Sequence, residues 1–201
     1  DGSLKPAIAE SHEVSEDGLT YSFKIRQGVK FHNGEDVTIE DVQYTFDRIM
    51  GANGGEKMKN IFDNVASTES VDNSTFVVTL KEPNSNFLYS VTALQSAIIP
   101  KSNDGKHNEN PIGTGPFAYV KYSPGMNLEL KKYEDYWRDG LPYLDKVTFT
   151  FQSDDQAAIM SLLANEVDLT SVPWQRVSEV EDSYNTSHQN NNSSLIITFN
   201  E

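Results

Sequence analysis

The 201 residues carry 30 acidic and 16 basic side chains, a net charge of −14, and no cysteine. A chain this acidic lacks the clustered basic face that a nucleic acid requires, and without thiols it can form neither disulfides nor thiolate metal sites. No apolar run approaches the roughly 18–20 residues of a membrane-spanning helix. The sequence opens Asp1-Gly2-Ser3 with no charged-then-apolar leader, so any export signal is expected to have been removed or to lie outside these residues.

In chain order, the first signal is a hairpin. Tyr21, Phe23 and Ile25 alternate with Thr20, Ser22 and Lys24, the period of a half-buried strand, and Glu16-Asp17-Gly18 supplies the preceding turn. After the loop Gly28 to Gly34, Thr38 is an N-cap candidate with Asp41 three residues on, which resembles a capping box. Val42, Phe46 and Ile49 then predict an amphipathic helix over 39–50, ended by Gly51 and Asn53-Gly54-Gly55. A second hairpin follows, with Phe76, Val78 and Leu80 on one face and Asp72-Asn73 at its turn. Pro83 stops it, and residues 86–94 predict a short helix.

Lys101 to Asn110 contains no apolar side chain. It is expected to be an exposed connector between two folding units. Beyond it lies a third hairpin, Phe117–Tyr122 and Asn127–Lys132, turned by Ser123-Pro124-Gly125. Residues 146–151 alternate again, with Val147, Phe149 and Phe151 on one face. Ser153 is expected to cap a helix over 154–164, with a strand at Val167-Asp168-Leu169 after it. That succession predicts a right-handed parallel βαβ unit. Pro173 predicts a short helix over 173–181, Asn185 to Ser194 a loop, and Leu195–Phe199 a final strand.

Few residues point to chemistry. His12, His32, His107 and His188 are scattered without metal-ligand spacing, so a solvated or structural role is expected for them. Ile112-Gly113-Thr114-Gly115-Pro116 lacks the Lys-Ser/Thr of a phosphate loop and precedes a strand, not a helix. It reads as a tight turn whose two glycines supply unusual dihedrals. Among the acidic pairs, Asp154-Asp155 fits a helix cap and Glu134-Asp135 a solvated face, and nothing selects two carboxylates for catalysis. Trp137 and Trp174 are candidate ligand platforms, although large aromatics at element ends more often belong to a core.

The motifs carry a resemblance. The Asp17-Gly18 hairpin, Phe23-Lys24-Ile25-Arg26, Phe31-His32-Asn33-Gly34 and Thr38 through Val42 closely resemble the signature of family 5 bacterial solute-binding proteins. So do Asn110 through Phe117, Tyr133 through Trp137 leading to Gly140 through Val147, and Asn165-Glu166-Val167-Asp168-Leu169, in which Asn165 stands where the family commonly has glycine. Asparagine tolerates the left-handed conformation that ends a helix.

The resemblance implies a mixed α/β (α+β) chain. It would be part of a type II periplasmic-binding-protein fold, holding one lobe and the family's extra subdomain but not the second lobe. By that mapping residues 1–19 are a strand segment of lobe one, 20–110 the extra subdomain, and 111–201 the α/β portion of lobe one. It further implies an extracytoplasmic receptor that is not an enzyme, needs no cofactor or metal, and delivers peptides to the permease subunits of an ABC importer. Nickel chelates, haem and oligosaccharides are the alternative solutes. The receptor is expected to be a monomer whose only membrane attachment is a lipid anchor outside these residues. Thr114, Gly115 and Trp174 are the ligand-contact candidates, on the expectation that their loops line the ligand cleft.

Overall fold

The computed structural model describes residues 3–52, 62–189 and 195–199, the last stretch and 188–189 by their backbone alone. The chain divides into two compact units. The first holds residues 1–120 and 130–147, the second residues 121–129 and 148–201.

The first unit is built on an antiparallel sheet in the order β1–β2–β4–β3, formed by β1 (Ala9–Val14), β2 (Thr20–Ile25), β3 (Val65–Ser70) and β4 (Thr75–Leu80). Register decides which side chains meet: Phe23 pairs with Phe76 and Tyr21 with Val78. Because strand side chains alternate between faces, the same register puts Tyr21, Phe23, Ile25, Phe76, Val78 and Leu80 on one buried side. Helix α1 (Ile39–Ile49) covers that side with Val42, Phe46 and Ile49. The Phe46 ring lies 4.8 Å from that of Phe76 and meets Phe62 edge-on at 5.9 Å, the tilted geometries that aromatic quadrupoles favour.

The predicted capping box is present. The Asp41 N–H donates to Thr38 Oγ1, and the Thr38 N–H donates to Asp41 Oδ2 at 2.9 Å. Buried Asp41 has a further partner, because its Oδ1 accepts the Lys101 N–H at 2.9 Å.

That bond begins a correction. Residues 101–110 lie inside the first unit and are strapped to its helix. Asp104 accepts from the Tyr44 hydroxyl and pairs with Arg48 at 3.3 Å, while buried Asn103 donates to the Asn110 carbonyl at 2.8 Å. The run has no apolar side chain because it is anchored through polar groups, which the sequence pattern reads as a connector. The predicted helix over 86–94 is shorter than expected: α2 (Phe87–Ser90) is followed by a 3-10 turn, Leu94–Ser96. Gly51 ends α1 with a positive φ of 94°; Asn53 through Gly55 lie outside the described residues.

Strands β5 (Phe117–Ser123), β6 (Asn127–Lys132) and β7 (Lys146–Thr150) form a sheet in that order. In the second unit, α3 (Asp155–Leu163) is capped by Asp154, one residue later than expected, whose carboxylate accepts the Ala157 N–H at 2.9 Å. The helix ends as the Asn165 substitution requires. Asn165 sits at φ 57°, its N–H donates to the Leu162 carbonyl, and the Glu166 N–H reaches back to Ser161, the two bonds of a Schellman ending.

No parallel βαβ unit forms among the described residues. Strand β8 (Leu169–Ser171) starts later than predicted and joins β9 (Asn185–Gln189) and β10 (Leu195–Phe199) in a separate antiparallel sheet, β8–β10–β9. Residues 185–189, expected as loop, are strand because β10 pairs with them along their whole length; polar composition does not prevent a strand that has a partner. Ile159, Leu162, Val172, Val177 and Val180 make this unit's core.

Candidate functional site

The site candidate with the most defined geometry is the turn Ile112–Pro116 in the first unit. It begins from the loop that faces it. Val29, Phe31 and Val37 form a small buried cluster, joined by Ile8, Ile98, Ile112 and Trp137. Backbone bonds close the loop on itself: Phe31 N–H to the Glu35 carbonyl, Gly34 N–H to Phe31, and Val37 N–H to Val29, each at 2.8 Å. Anchored on both sides, His32 is left pointing at the turn.

His32 holds that turn three ways. Its main-chain N–H donates to the Gly113 carbonyl at 2.9 Å. Its ring Nδ1 accepts the Gly113 N–H at 3.3 Å, and its Nε2 lies 2.9 Å from the Gly115 carbonyl. A backbone N–H can only donate and a carbonyl can only accept. Nδ1 is therefore the bare nitrogen, and Nε2 carries the proton. Tyr133 completes the arrangement. Its ring meets the imidazole edge-on at 5.0 Å, its hydroxyl donates to the Phe31 carbonyl at 2.6 Å, and its N–H donates to the Pro116 carbonyl at 2.9 Å. Burial, with the Asp135 charge adding to it, pushes the Tyr133 hydroxyl above its ordinary range, which keeps it a donor.

What remains unpaired is informative. Among the described residues, the N–H, carbonyl and hydroxyl of half-buried Thr114 and the N–H of Gly115 have no hydrogen-bond partner. The glycines correct an expectation: neither Gly113 nor Gly115 takes a positive φ, so unusual dihedrals are not the reason for them. A Cβ built on Gly113 would meet only the His32 ring, at 3.8 Å, and one on Gly115 would meet nothing within 4 Å. The fold itself does not require glycine at 115. Its surroundings leave room for another molecule to approach the backbone closely.

The two tryptophans separate. Trp137 packs on the Val29–Phe31–Val37 cluster with the guanidinium groups of Arg26 and Arg138 over its ring, 5.0 and 4.6 Å from the centroid. Its π surface is already engaged by cations. Trp174 belongs to the second unit. It opens the 3-10 helix Trp174–Glu179 and is 66% exposed, while Val172 and Val177 on either side of it are buried. The expectation of a core role fails there, because neighbours two before and three after it fill the core and Trp174 is left outside. Thr114 and Gly115 are thus adjacent in one unit and Trp174 lies in the other.

The importance of His32 was not legible in advance. Its one visible sign was its place beside Phe31 and Gly34 in a loop of the family signature. His107 is a strap residue: burial, then the nearby Arg48 charge, holds its imidazole below the usual histidine range. No cluster of three His, Cys, Asp or Glu side chains suited to a metal occurs among the described residues, and none of their helices is long and apolar enough to cross a membrane.

Comparison with known proteins places these features in a family. The model for "Bacterial extracellular solute-binding proteins, family 5 Middle" matches residues 3–201. The chain is 32% identical over 187 residues to the glutathione-binding protein GsiB of Escherichia coli strain K12, covering 90% of this chain and 36% of that protein. It resembles the solved structure of AgaA from A. tumefaciens R10 in complex with agropinic acid, with a TM-score of 0.85 and 31% identity over 93% of this chain and 39% of the other. It also resembles the oligopeptide-binding protein AppA of Bacillus subtilis in complex with a nonapeptide, with a TM-score of 0.79 and 29% identity over 91% and 38%. The chain spans about 36% of the length of the curated relatives it matches. These neighbours share the mixed helix-and-strand periplasmic-binding-protein fold over the part aligned, and the chain belongs to the bacterial extracellular solute-binding proteins, family 5.

Proposed function

We propose that the protein is an extracytoplasmic receptor that captures peptides and delivers them to the permease of an ABC importer. The observation that carries the peptide reading is the set of unpaired groups on Thr114 and Gly115. They are mainly backbone N–H and C=O groups, the complement that a peptide main chain offers in strand-like recognition. The names of GsiB and AppA, a glutathione-binding and an oligopeptide-binding protein, support the same class of solute. In this reading Thr114 and Gly115 contact the peptide backbone; Trp174, in the other unit, is a separate candidate contact by its exposed aromatic surface.

The domain reading belongs with it: residues 1–19 as a strand segment of lobe one, 20–110 as the extra subdomain, and 111–201 as part of lobe one, with the ligand enclosed between lobes. Binding proceeds without turnover. The receptor works as a monomer, and any membrane attachment comes from a lipid anchor outside residues 1–201. A small non-peptide solute is the second reading, favoured by the agropinic acid bound to AgaA.

Native mass spectrometry of the full-length protein, purified without refolding, identifies any solute carried with it. Calorimetric titration with glutathione and with a mixed tri- to pentapeptide pool then measures affinity. Saturable peptide binding with no cleavage product is expected. A co-purified sugar or metal chelate, with flat peptide titrations, would replace the peptide reading with the second one.

A further inference from the structure

On the reading that Thr114 and Gly115 touch the solute, we infer that His32 is the positioning residue of the site. It holds the turn in a shape that leaves the Thr114 and Gly115 N–H groups free for an oxygen acceptor, the carbonyl or carboxylate of a peptide.

The turn cannot hold this shape alone. Within residues 111–116 no backbone hydrogen bond closes between its own members; its polar contacts come from His32 and Tyr133. Two of its residues are glycines, which lose the most conformational freedom when fixed. Free of His32 the segment would sample many backbone states, and a ligand would then have to order it at a cost in affinity. His32 removes that cost beforehand. Three of its groups take the Gly113 N–H, the Gly113 carbonyl and the Gly115 carbonyl. Between the contacts that His32 and Tyr133 make, four polar groups on Thr114 and Gly115 are left over, beside the Ile112 N–H and carbonyl and the Pro111 carbonyl at the start of the turn. Two successive N–H donors and a threonine hydroxyl suit an oxygen with two lone pairs, and the Thr114 carbonyl suits the amide N–H that accompanies it in a peptide.

The tautomer makes the role specific. A proton on Nδ1 would oppose the Gly113 N–H, and a bare Nε2 would face the Gly115 carbonyl lone pairs. Only the Nε2–H form makes both bonds. Glutamine at this position can still donate its amide N–H toward Gly115, whereas alanine can make neither side-chain contact.

The test compares the full-length wild type with His32→Ala, His32→Gln and Gly115→Ala, titrated with glutathione and with trialanine, alongside amide exchange and 15N spectra of the His32 ring. The ring should show its proton on Nε2. His32→Ala should speed exchange at Gly113 and weaken peptide binding about tenfold or more, and His32→Gln should recover part of the affinity. An Nδ1-protonated ring, or His32→Ala with unchanged affinity while Gly115→Ala weakens binding, overturns the positioning role and leaves the ligand reading standing. Unchanged affinity in both His32→Ala and Gly115→Ala, or a wild type that binds neither peptide, overturns the ligand reading and this inference with it.

Discussion

The two units of this chain start from the same sequence signal and treat it differently. In the first, the alternating apolar residues of β2 and β4 are sealed under α1, and Phe76 and Val78 are essentially inaccessible. In the second, Phe149 and Phe151 belong to an equally regular alternation, yet they remain 51% and 45% exposed, as do Met160 and Leu163 on α3 at 53% and 41%. Alternation fixes which side chains share a face. It does not say whether that face has a cover. The first unit contains its own cover, and the described part of the second leaves much apolar surface in the open.

The comparison breaks most readily at its largest difference. Phe76→Ala removes a ring packed on Phe46 and should cost the first unit about 3–5 kcal/mol, whereas Phe149→Ala should cost under about 1 kcal/mol. Denaturant titrations of the two variants check this, and comparable losses would erase the contrast.

Helix capping should be indifferent to it, because a cap satisfies backbone N–H groups whatever the core around it. Thr38→Ala in the first unit and Asp154→Ala in the second should each lose about 1 kcal/mol. A cap effect confined to one unit would show that the other helix is not independently ordered.

The smallest effects concern pH and belong to the first unit. The imidazole of His107 is held below its ordinary value of 6.5, so the unfolded chain binds the proton first as pH falls. Its contribution is full above about pH 6.5 and declines below it, and His107→Gln should flatten stability across that range. Asp72, at the β3–β4 turn, is lowered from 3.8 to about 2 by the Ser74 N–H, then by the Thr75 and Ser74 hydroxyls. Its contribution is present above 3.8 and is lost as pH falls toward about 2. Asp72→Asn should remove that acid dependence, read from thermal midpoints between pH 5 and pH 2 by the same linkage.

Local chemistry was the legible part of the fold. The Thr38–Asp41 box, the left-handed Asn165 and the two buried strand faces all follow from interactions within a few residues or from strict alternation. What escaped depends on distant partners. Residues 101–110 look like a connector until Asp41, Tyr44 and Arg48 are seen to bind them. Residues 185–189 look like a loop until β10 pairs with them. The site followed the same division. Thr114 and Gly115 stand out through their glycine-rich turn, but its glycines take no unusual dihedral, and His32 is separated from its partners by more than 80 positions.

Amide hydrogen exchange on the full-length protein, with and without saturating peptide, tests the ligand reading of that turn most directly. The Gly113 N–H is already bonded to His32 and should change little on binding. The amides of Thr114 and Gly115, which have no partner among the described residues, should become protected. Protection that appears elsewhere in the protein while Thr114 and Gly115 exchange as before would contradict it.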